Sequence, residues 1–355
     1  MIEDFRFTNF VHGIALALML GYILFIGRPI FVPIVTSILI VYVIVGVSRL
    51  SGLIPFVGKR IPLKVRYILA AVVIAVVLVE LSALFVGNLS TIVARAPEFQ
   101  ESLLNTLQDG AARFGIESTL TWETIRRDAL GEINLQRLIR TGFVSIAGML
   151  GALLFVLLNV SFLLLEQRTF HHKLGGLSDD PDKTRRLLKV IGDINARVGR
   201  YLAVKTMINV VLGLVSWVVM AVMGLEFAIF WAIIIALLNY IPYVGSIIAV
   251  ALPMALGIVQ FGDINTVLLL LALLVGVQVL MGNVIEPQVM GNSLNLSPYV
   301  ILISLTAWSS LWGIAGAIFS VPITAIMVIV FSEFEQTRPI AKLLSMNGEI
   351  PDRAI

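Results

Sequence analysis

EFAIFWAIIIALLNYIPYVGSIIAVALPMALGIVQFG, residues 226–262, is almost wholly apolar and is interrupted midway by the polar and turn-forming residues NYIPYVG. It lies inside a longer stretch, Met207–Thr337, that contains no lysine or arginine. In the whole chain of 355 residues, 59% are hydrophobic and 13% are charged, whereas about a quarter of the residues are charged in soluble domains. The composition therefore predicts an integral membrane protein.

Apolar runs of membrane-spanning length recur along the chain. A helix needs about 20 apolar residues to cross the hydrocarbon core of a bilayer. Two segments in the final third, 226–262 and 297–332, are too long for one straight crossing. The sequence predicts an all-α, polytopic integral membrane protein with about eight membrane segments, and those two are broken or re-entrant. Each could be a re-entrant hairpin or one long tilted crossing, and the sequence leaves both open. The other apolar runs lie near 10–27, 30–47, 67–89, 142–166, 201–223 and 264–285.

Proline and glycine mark where the two long segments break. Proline removes a backbone donor, and glycine permits backbone angles that other residues avoid. Glycine also allows helices to pack closely, so packing alone is a second explanation for the glycines. The repetition of this pattern predicts a weak internal repeat of broken helices. The candidate hinge or helix-break residues are Pro242, Gly245, Pro253, Pro287, Gly291, Gly313, Gly316 and Pro322.

Basic residues are concentrated in two loops, 47–67 and 167–200, which are separated by two membrane helices and so share a side. The positive-inside rule places both loops, and with them the N- and C-termini, in the cytoplasm. The resulting division is 1–89, the first three membrane helices; 90–141, an extracytoplasmic segment with amphipathic helices; 142–166, the fourth membrane helix; 167–200, a cytoplasmic loop and helix that runs into the fifth; 201–337, the transport core; and 338–355, a cytoplasmic tail.

The fifth membrane helix carries a stripe of polar and small residues that recurs every three or four positions. Such a stripe is expected to face the interior of a helix bundle. Lys205 lies only one turn into the helix, so we expect its side chain to reach back to the cytoplasmic interface, with a role in the pathway as the alternative. Asn209 lies deeper and is the better candidate for lining a cavity. The stripe consists of Tyr201, Lys205, Asn209, Gly213 and Ser216.

Carboxylates and amides within apolar runs are the other candidates for a pathway, because such groups are costly in a membrane. Glu286 follows the run 264–285, where Pro287 is expected to end the helix, and it should share a face with Asn283. Glu286 could bind a cation or a proton or hold a gate, or it could simply mark the helix end. For Glu80, ion coupling and a structural hydrogen bond remain open. The full set is Glu80, Asn209, Asn239, Gln278, Asn283 and Glu286.

Several classes of protein find no support in the sequence. The chain contains no GxxxxGK[ST], HExxH or GxSxG motif, so neither an ATP-driven pump nor a standard hydrolase is expected. Cysteine is absent, which excludes disulfides and thiolate metal sites. The basic loops lack the interleaved aromatic residues of a nucleic-acid surface. We therefore expect no enzyme activity, cofactor, metal or nucleic acid.

Three motifs in a fixed order carry a family resemblance: NYIPYVG at 239–245, NVIEPQVMG at 283–291 and SVP at 320–322, with a long loop after the third helix. They resemble the autoinducer-2 exporter (AI-2E) family over nearly the full chain. The resemblance implies a permease of the bacterial inner membrane that assembles as a homo-oligomer, for which a pentamer is one form. It also implies that some members export the quorum-sensing signal autoinducer-2. Other members look like sodium or lithium/proton antiporters.

Three functions follow as hypotheses. The leading one is secondary, gradient-driven export of a small polar metabolite, with autoinducer-2 first; a neutral, hydroxyl-rich signal suits the four amide candidates. The alternative is sodium or lithium/proton antiport, for which Glu286 and Glu80 supply titrating carboxylates. The third is a non-transporting membrane scaffold that binds partners through its loops. The expected partners are the lipid bilayer, a small polar substrate and further copies of the chain.

Overall fold

The computed structural model describes the chain at residues 2–50, 61–95, 98, 108, 151–166, 169, 173–176, 180–290 and 294–350. Most of the predicted extracytoplasmic segment 90–141, with its amphipathic helices, lies outside the described residues, and so does the candidate Gly291. Among the described residues the structure is helical and contains no strand, apart from an isolated bridge between Leu296 and Ser345.

The described helices are numbered here in chain order. A π-helical segment, Leu280–Ile285, joins the eighth helix to the ninth without interruption. The helices are α1 (Ile2–Ile26), α2 (Arg28–Leu50), α3 (Leu63–Ala94), α4 (Gly151–Glu166), α5 (Pro181–Val222), α6 (Ala228–Leu238), α7 (Val244–Phe261), α8 (Ile264–Val279), α9 (Glu286–Met290), α10 (Pro298–Glu333) and α11 (Arg338–Leu344).

The length and composition of these helices fit a membrane. Within the described residues, 6 helical stretches are long and apolar enough to cross a bilayer. Shorter apolar helices at Val11–Ile26, Gly151–Glu166 and Ala228–Leu238 accompany them. The prediction of an all-α, polytopic membrane protein is therefore confirmed.

Helix α5 is a single helix of 42 residues. It begins at Pro181, whose missing N–H and fixed φ suit the first helical position. The side chain of Asp180 caps it, because its Oδ1 accepts from the backbone N–H groups of Asp182 at 3.0 Å and Lys183 at 3.3 Å. These two hydrogen bonds, that of Lys183 first, lower the pKa of Asp180. The helix within 167–200 and the helix over 201–223 thus form one continuous helix, Pro181–Val222.

The first long segment breaks where NYIPYVG predicts. Helix α6 ends at Leu238 and α7 begins at Val244. Between them Tyr243 takes φ 58° and ψ −60°, and the N–H of Val244 donates to the carbonyl of Pro242 at 2.6 Å. This is the strained form of the γ-turn, which is rare for residues other than glycine. At Gly245 a Cβ would lie 1.9 Å from the carbonyl oxygen of Leu238, so only glycine fits.

The second long segment is α10, and it breaks at Gly313, where φ is 61° and ψ is −138°. Three residues on, a Cβ at Gly316 would lie 1.8 Å from the carbonyl oxygen of Trp308. Both breaks therefore bring a glycine against a carbonyl of the preceding half-helix, which supports the predicted repeat. The two later prolines, Pro253 and Pro322, stay inside helices and interrupt neither.

The prediction that Pro287 ends the helix after 264–285 is wrong. The chain stays helical from Ile264 to Met290. Proline cannot donate a backbone hydrogen bond and clashes with the carbonyl four residues earlier in a regular α-helix. The π-helical segment Leu280–Ile285 directly precedes α9, and its wider turns change the carbonyl positions that Pro287 would otherwise meet.

The chain divides into two compact units. Unit 1 comprises 1–63, 154–203 and 292–355, and unit 2 comprises 64–153 and 204–291. In unit 1 the indole N–H of Trp312, beside the break in α10, donates to the carbonyl of Leu24 in α1 at 2.9 Å. In unit 2 a buried apolar core, which includes Leu212, Ile235 and Leu270, joins α5, α6, α7 and α8.

Candidate functional site

The polar stripe on α5 faces inward, as predicted. Each of its members is buried although the neighbouring apolar positions, such as Val210 and Leu214, are exposed. In a membrane protein the exposed apolar positions are those that lipid can cover, whereas polar side chains turn toward the protein interior. The stripe therefore marks the interior face of α5.

Lys205 and Glu286 form an ion pair within unit 2. The Nζ of Lys205 lies 2.6 Å from Oε1 of Glu286, and the two side chains are 7% and 24% exposed. The expectation that Lys205 reaches back to the membrane interface is therefore wrong. Its ammonium is paired inside the protein with a carboxylate 81 positions further along the chain.

One helical turn further along α5, two buried amides meet. The Nδ2 of Asn239 donates to Oδ1 of Asn209 at 2.7 Å, and the residues are 9% and 2% exposed. Thr206 Oγ1 and the hydroxyl of Tyr240 lie 2.7 Å apart, and this hydroxyl also neighbours Asn209. Asn239 and Tyr240 belong to the break after α6. Side chains of α5 therefore hydrogen-bond with two side chains of the segment that separates α6 from α7.

These side chains form one set, which we call the α5 polar cluster: Lys205, Thr206, Asn209, Asn239, Tyr240 and Glu286. It connects α5 with the break between α6 and α7 and with the start of α9. Irregular backbone within a membrane protein is tolerated where protein or a water-filled cavity satisfies its polar groups. The cluster has the hydrogen-bonding groups to hold a small polar ligand, and its Lys–Glu pair supplies one charge of each sign.

The other candidates are not members of this cluster. Glu80 on α3 and Asn283 in the π-helical segment are exposed. Asn283 and Glu286 were expected to share a helix face, but one is exposed and the other is paired with Lys205. The expectation assumed α-helical spacing, which the π-helical segment does not have. Gln278 is partly buried in α8, and its Nε2 has no hydrogen-bond partner among the described residues.

Thr206 and Tyr240 were absent from the predicted pathway residues, and for Lys205 a role in the pathway was the second alternative. Lys205 already stood in the inward-facing stripe, and that periodicity was the signal for its burial. Thr206 and Tyr240 carry no such signal, since their contact joins positions 34 apart in the sequence.

Buried polar side chains at a break in a membrane helix are also found at the binding sites of membrane transporters. A known protein family matches the sequence over most of its length. The profile of the family described as AI-2E family transporter matches residues 14–336, and the chain belongs to that family.

Several relatives extend this assignment. The AI-2 transport protein TqsA of Escherichia coli K12 is 28% identical over 94% of this chain and 96% of its own. YhhT of the same strain, named as a candidate transport protein, is 27% identical over 77% of each chain. A candidate transport protein of Borreliella burgdorferi is 28% identical over 68% of this chain and 66% of its own. The chain is therefore a multi-pass membrane protein of a transporter family.

Proposed function

We propose that this protein is a secondary transporter that exports a small polar metabolite, with autoinducer-2 as the first candidate. The observation that carries the proposal is the α5 polar cluster, in which buried amides from α5 and from a helix break meet inside an apolar unit. Buried polar groups in membrane segments are retained mainly where they bind or move a polar solute. The amides suit a neutral, hydroxyl-rich solute.

Similarity to TqsA supports the choice of substrate. That relative is named as an AI-2 transport protein, and the alignment spans nearly all of both chains. At 28% identity the membrane architecture carries over more readily than the details of a binding site. The substrate is therefore the part of the proposal that needs a direct test.

The test is an export assay in cells that lack the gene and in cells that express the protein. We expect expression to lower intracellular and raise extracellular autoinducer-2. Asn239→Leu, expressed at the same level in the membrane, should reduce this effect because it removes the amide pair. Equal signal levels with and without the protein would rule out autoinducer-2 as the substrate.

The proposal includes a cellular setting. We place the chain in the bacterial inner membrane with both termini in the cytoplasm, on the strength of the basic loops at 47–67 and 167–200. We further propose a homo-oligomer, for which a pentamer is the leading form. Native mass spectrometry of the purified protein in detergent would give the number of subunits.

The Lys205–Glu286 pair favours a second candidate function, cation/proton antiport. A cation that enters beside the carboxylate of Glu286 can take the place of the Lys205 ammonium, which then releases its proton, and Glu286 is the less buried of the two partners. Proteoliposomes that contain a pH-sensitive dye should then release protons when sodium or lithium is added. Glu286→Gln should abolish the response and Glu80→Gln, on the exposed face of α3, should preserve it; a response that survives Glu286→Gln would contradict the assignment.

A further inference from the structure

The first long segment folds back on itself at its break. Gly224 and Glu226 precede α6, and the backbone of both is hydrogen-bonded to the side chain of Gln260 near the end of α7. The amide oxygen of Gln260 accepts from the N–H of Glu226 at 2.8 Å, and its Nε2 donates to the carbonyl of Gly224 at 2.7 Å. In one straight helix, positions 226 and 260 would lie about 51 Å apart. Helices α6 and α7 therefore form a hairpin within unit 2, with the break at its tip and Gln260 at its base.

The base of this hairpin lies beside water. Glu226 pairs with Arg95, directly after α3, where Oε2 of the carboxylate is 2.6 Å from Nη1 of the guanidinium. The two side chains are 40% and 38% exposed, and charged groups with such exposure are costly inside the hydrocarbon of a bilayer. The base also follows closely on Val222, the last residue of α5. The end of α5 and the base of the hairpin therefore lie together at one membrane surface.

The tip of the hairpin lies far from that surface. Asn239 at the tip donates to Asn209 of α5 at 2.7 Å. The hydroxyl of Tyr240 lies 2.7 Å from that of Thr206, also on α5. At ~1.5 Å per residue, the path along α5 from Val222 is about 20 Å to Asn209 and about 24 Å to Thr206. Because the hydrocarbon core of a bilayer is roughly 30 Å thick, the tip lies within it.

The turn at the tip is both strained and exposed. Tyr243 takes φ 58°, which is costly for a residue other than glycine, and it is 52% exposed. Irregular backbone at this depth is not exposed to lipid; it lies against protein or lines a water-filled cavity. Backbone strain of this kind is found mainly at functional sites such as ligand clamps. The exposed phenol of Tyr243 therefore indicates a cavity that water and a solute can enter.

We infer that Tyr243 is a binding residue, which lines a water-filled cavity at the hairpin tip and contacts the transported solute through its phenol. The phenolic hydroxyl can donate and accept hydrogen bonds, and the ring offers an apolar face. The tip residues 239–246 include no charged side chain. These groups suit an uncharged solute that carries hydroxyl groups on a small carbon skeleton. The inference rests on the proposed function and adds to it a residue that contacts the solute.

Cysteine accessibility tests the cavity. In purified protein in nanodiscs, Tyr243→Cys should react with a small, charged methanethiosulfonate, because such reagents modify a thiolate in water. Val210→Cys is the matched control, since Val210 lies at the depth of Asn209 on the exposed apolar face of α5. We expect Tyr243→Cys to react at least about 10-fold faster than Val210→Cys, as measured by mass spectrometry of the intact protein. Val244→Cys, at the neighbouring exposed position of the tip, covers the case in which Tyr243→Cys does not fold.

Protection by autoinducer-2 tests contact with the solute. Val244→Cys reports it with Tyr243 intact, and a concentration about 10 times the Kd should slow its labelling about 10-fold, since only the unoccupied protein reacts. Tyr243→Ala in the same background should raise the concentration for half-protection about 10-fold or more, because a contact of the solute is lost. Tyr22→Ala is the control, because Tyr22 is an exposed tyrosine on α1, outside the hairpin, and should leave that concentration unchanged.

Three results would overturn the inference. The first is labelling of Tyr243→Cys and Val244→Cys no faster than that of Val210→Cys, since lipid or protein would then cover the tip. The second is a half-protection concentration that Tyr243→Ala leaves unchanged. The third is labelling of the tip that autoinducer-2 does not slow.

Flux measurements on the same preparations separate this inference from the proposed function. Protection that depends on Tyr243 without any export would support the inference and refute export. Export of autoinducer-2 by a protein whose tip cannot be labelled, or is not protected, would refute the inference and leave the export function in place.

Discussion

At the scale of single residues, the Lys205–Glu286 pair can be stabilising, functional or both, and variants distinguish these roles. Lys205→Met leaves the Glu286 carboxylate without its partner, which costs about 3 kcal/mol for a buried pair. We expect a lower melting temperature for purified Lys205→Met. Lys205→Met with Glu286→Met removes both charges and should recover most of the lost stability, since apolar side chains can replace a buried pair.

Transport by the double variant shows whether the pair has a functional role in addition to a stabilising one. We expect its export or antiport rate to stay low although its thermal stability recovers, because the hydrogen-bonding groups are gone. Measurement of thermal unfolding and of flux on one preparation checks both expectations. A double variant that transports at the wild-type rate would show that the pair only holds α5 to α9.

At the scale of elements, the two helix breaks depend on glycines that abut a carbonyl. Gly245→Ala and Gly316→Ala would place a Cβ 1.9 and 1.8 Å from a backbone oxygen, far inside contact distance. The backbone must move, and we expect each change to destabilise the protein by roughly 3 kcal/mol. Gly276→Ala in α8 is the matched control, because nothing lies within 4 Å of its Cβ position.

The control should be neutral or more stable by about 0.5–1 kcal/mol, since alanine favours a helix interior. Unfolding monitored by circular dichroism during heating or denaturant titration gives the comparison. If Gly245→Ala were as stable as Gly276→Ala, position 245 would tolerate a side chain. That result would contradict the close approach of Gly245 to the carbonyl of Leu238.

The start of α5 should depend on pH through Asp180. The pKa of Asp180 is lowered in the folded protein, mainly by the backbone hydrogen bonds of Lys183 and Asp182. Its contribution to helix stability is therefore fully present above the ordinary value of 3.8 and is lost as the pH falls through the lower folded value. Asp180→Ala should remove protection of the Asp182 and Lys183 amides against hydrogen exchange at neutral pH.

Asp180→Asn is the control, because asparagine is an equally good N-cap and does not titrate. It should keep protection at neutral pH and lose the acid sensitivity. Equal exchange rates in Asp180→Ala and the wild type would show that the cap contributes nothing to the start of α5.

Local sequence signals predicted the breaks and the inward face of α5. NYIPYVG combines proline and glycine within a few residues, and the stripe through Asn209 repeats at the helical period, so neighbouring positions suffice to read both. The helix through Pro287 and the pairing of Lys205 with Glu286 could not be read this way. The first requires a π-helical segment, and the second requires a partner 81 positions away, which no local pattern specifies.

At the scale of the whole molecule, the orientation in the membrane is predicted by the basic loops alone and can be measured directly. The chain has no cysteine, so a thiol reagent can label this protein only at a cysteine that is introduced. Glu98→Cys and Lys183→Cys both replace exposed side chains, which are 67% and 76% exposed. A membrane-impermeant maleimide should label Glu98→Cys in intact cells and Lys183→Cys only after permeabilisation.

Each variant serves as the control for the other, because both expose a thiol of the same reactivity. Labelling of Lys183→Cys in intact cells, with none at Glu98→Cys, would invert the predicted topology. Labelling of both in intact cells would place the two positions on one side and contradict the assignment of the loops.

Helix α5 also has a mechanical property. At ~1.5 Å per residue, Asn209 and Lys183 lie about 39 Å apart along one uninterrupted rod. A tilt of about 10° centred on Asn209 would sweep the beginning of the rod through roughly 7 Å. Small rearrangements around a ligand are thereby geometrically amplified, and a spectroscopic label at Lys183 would register them without disturbing the α5 polar cluster.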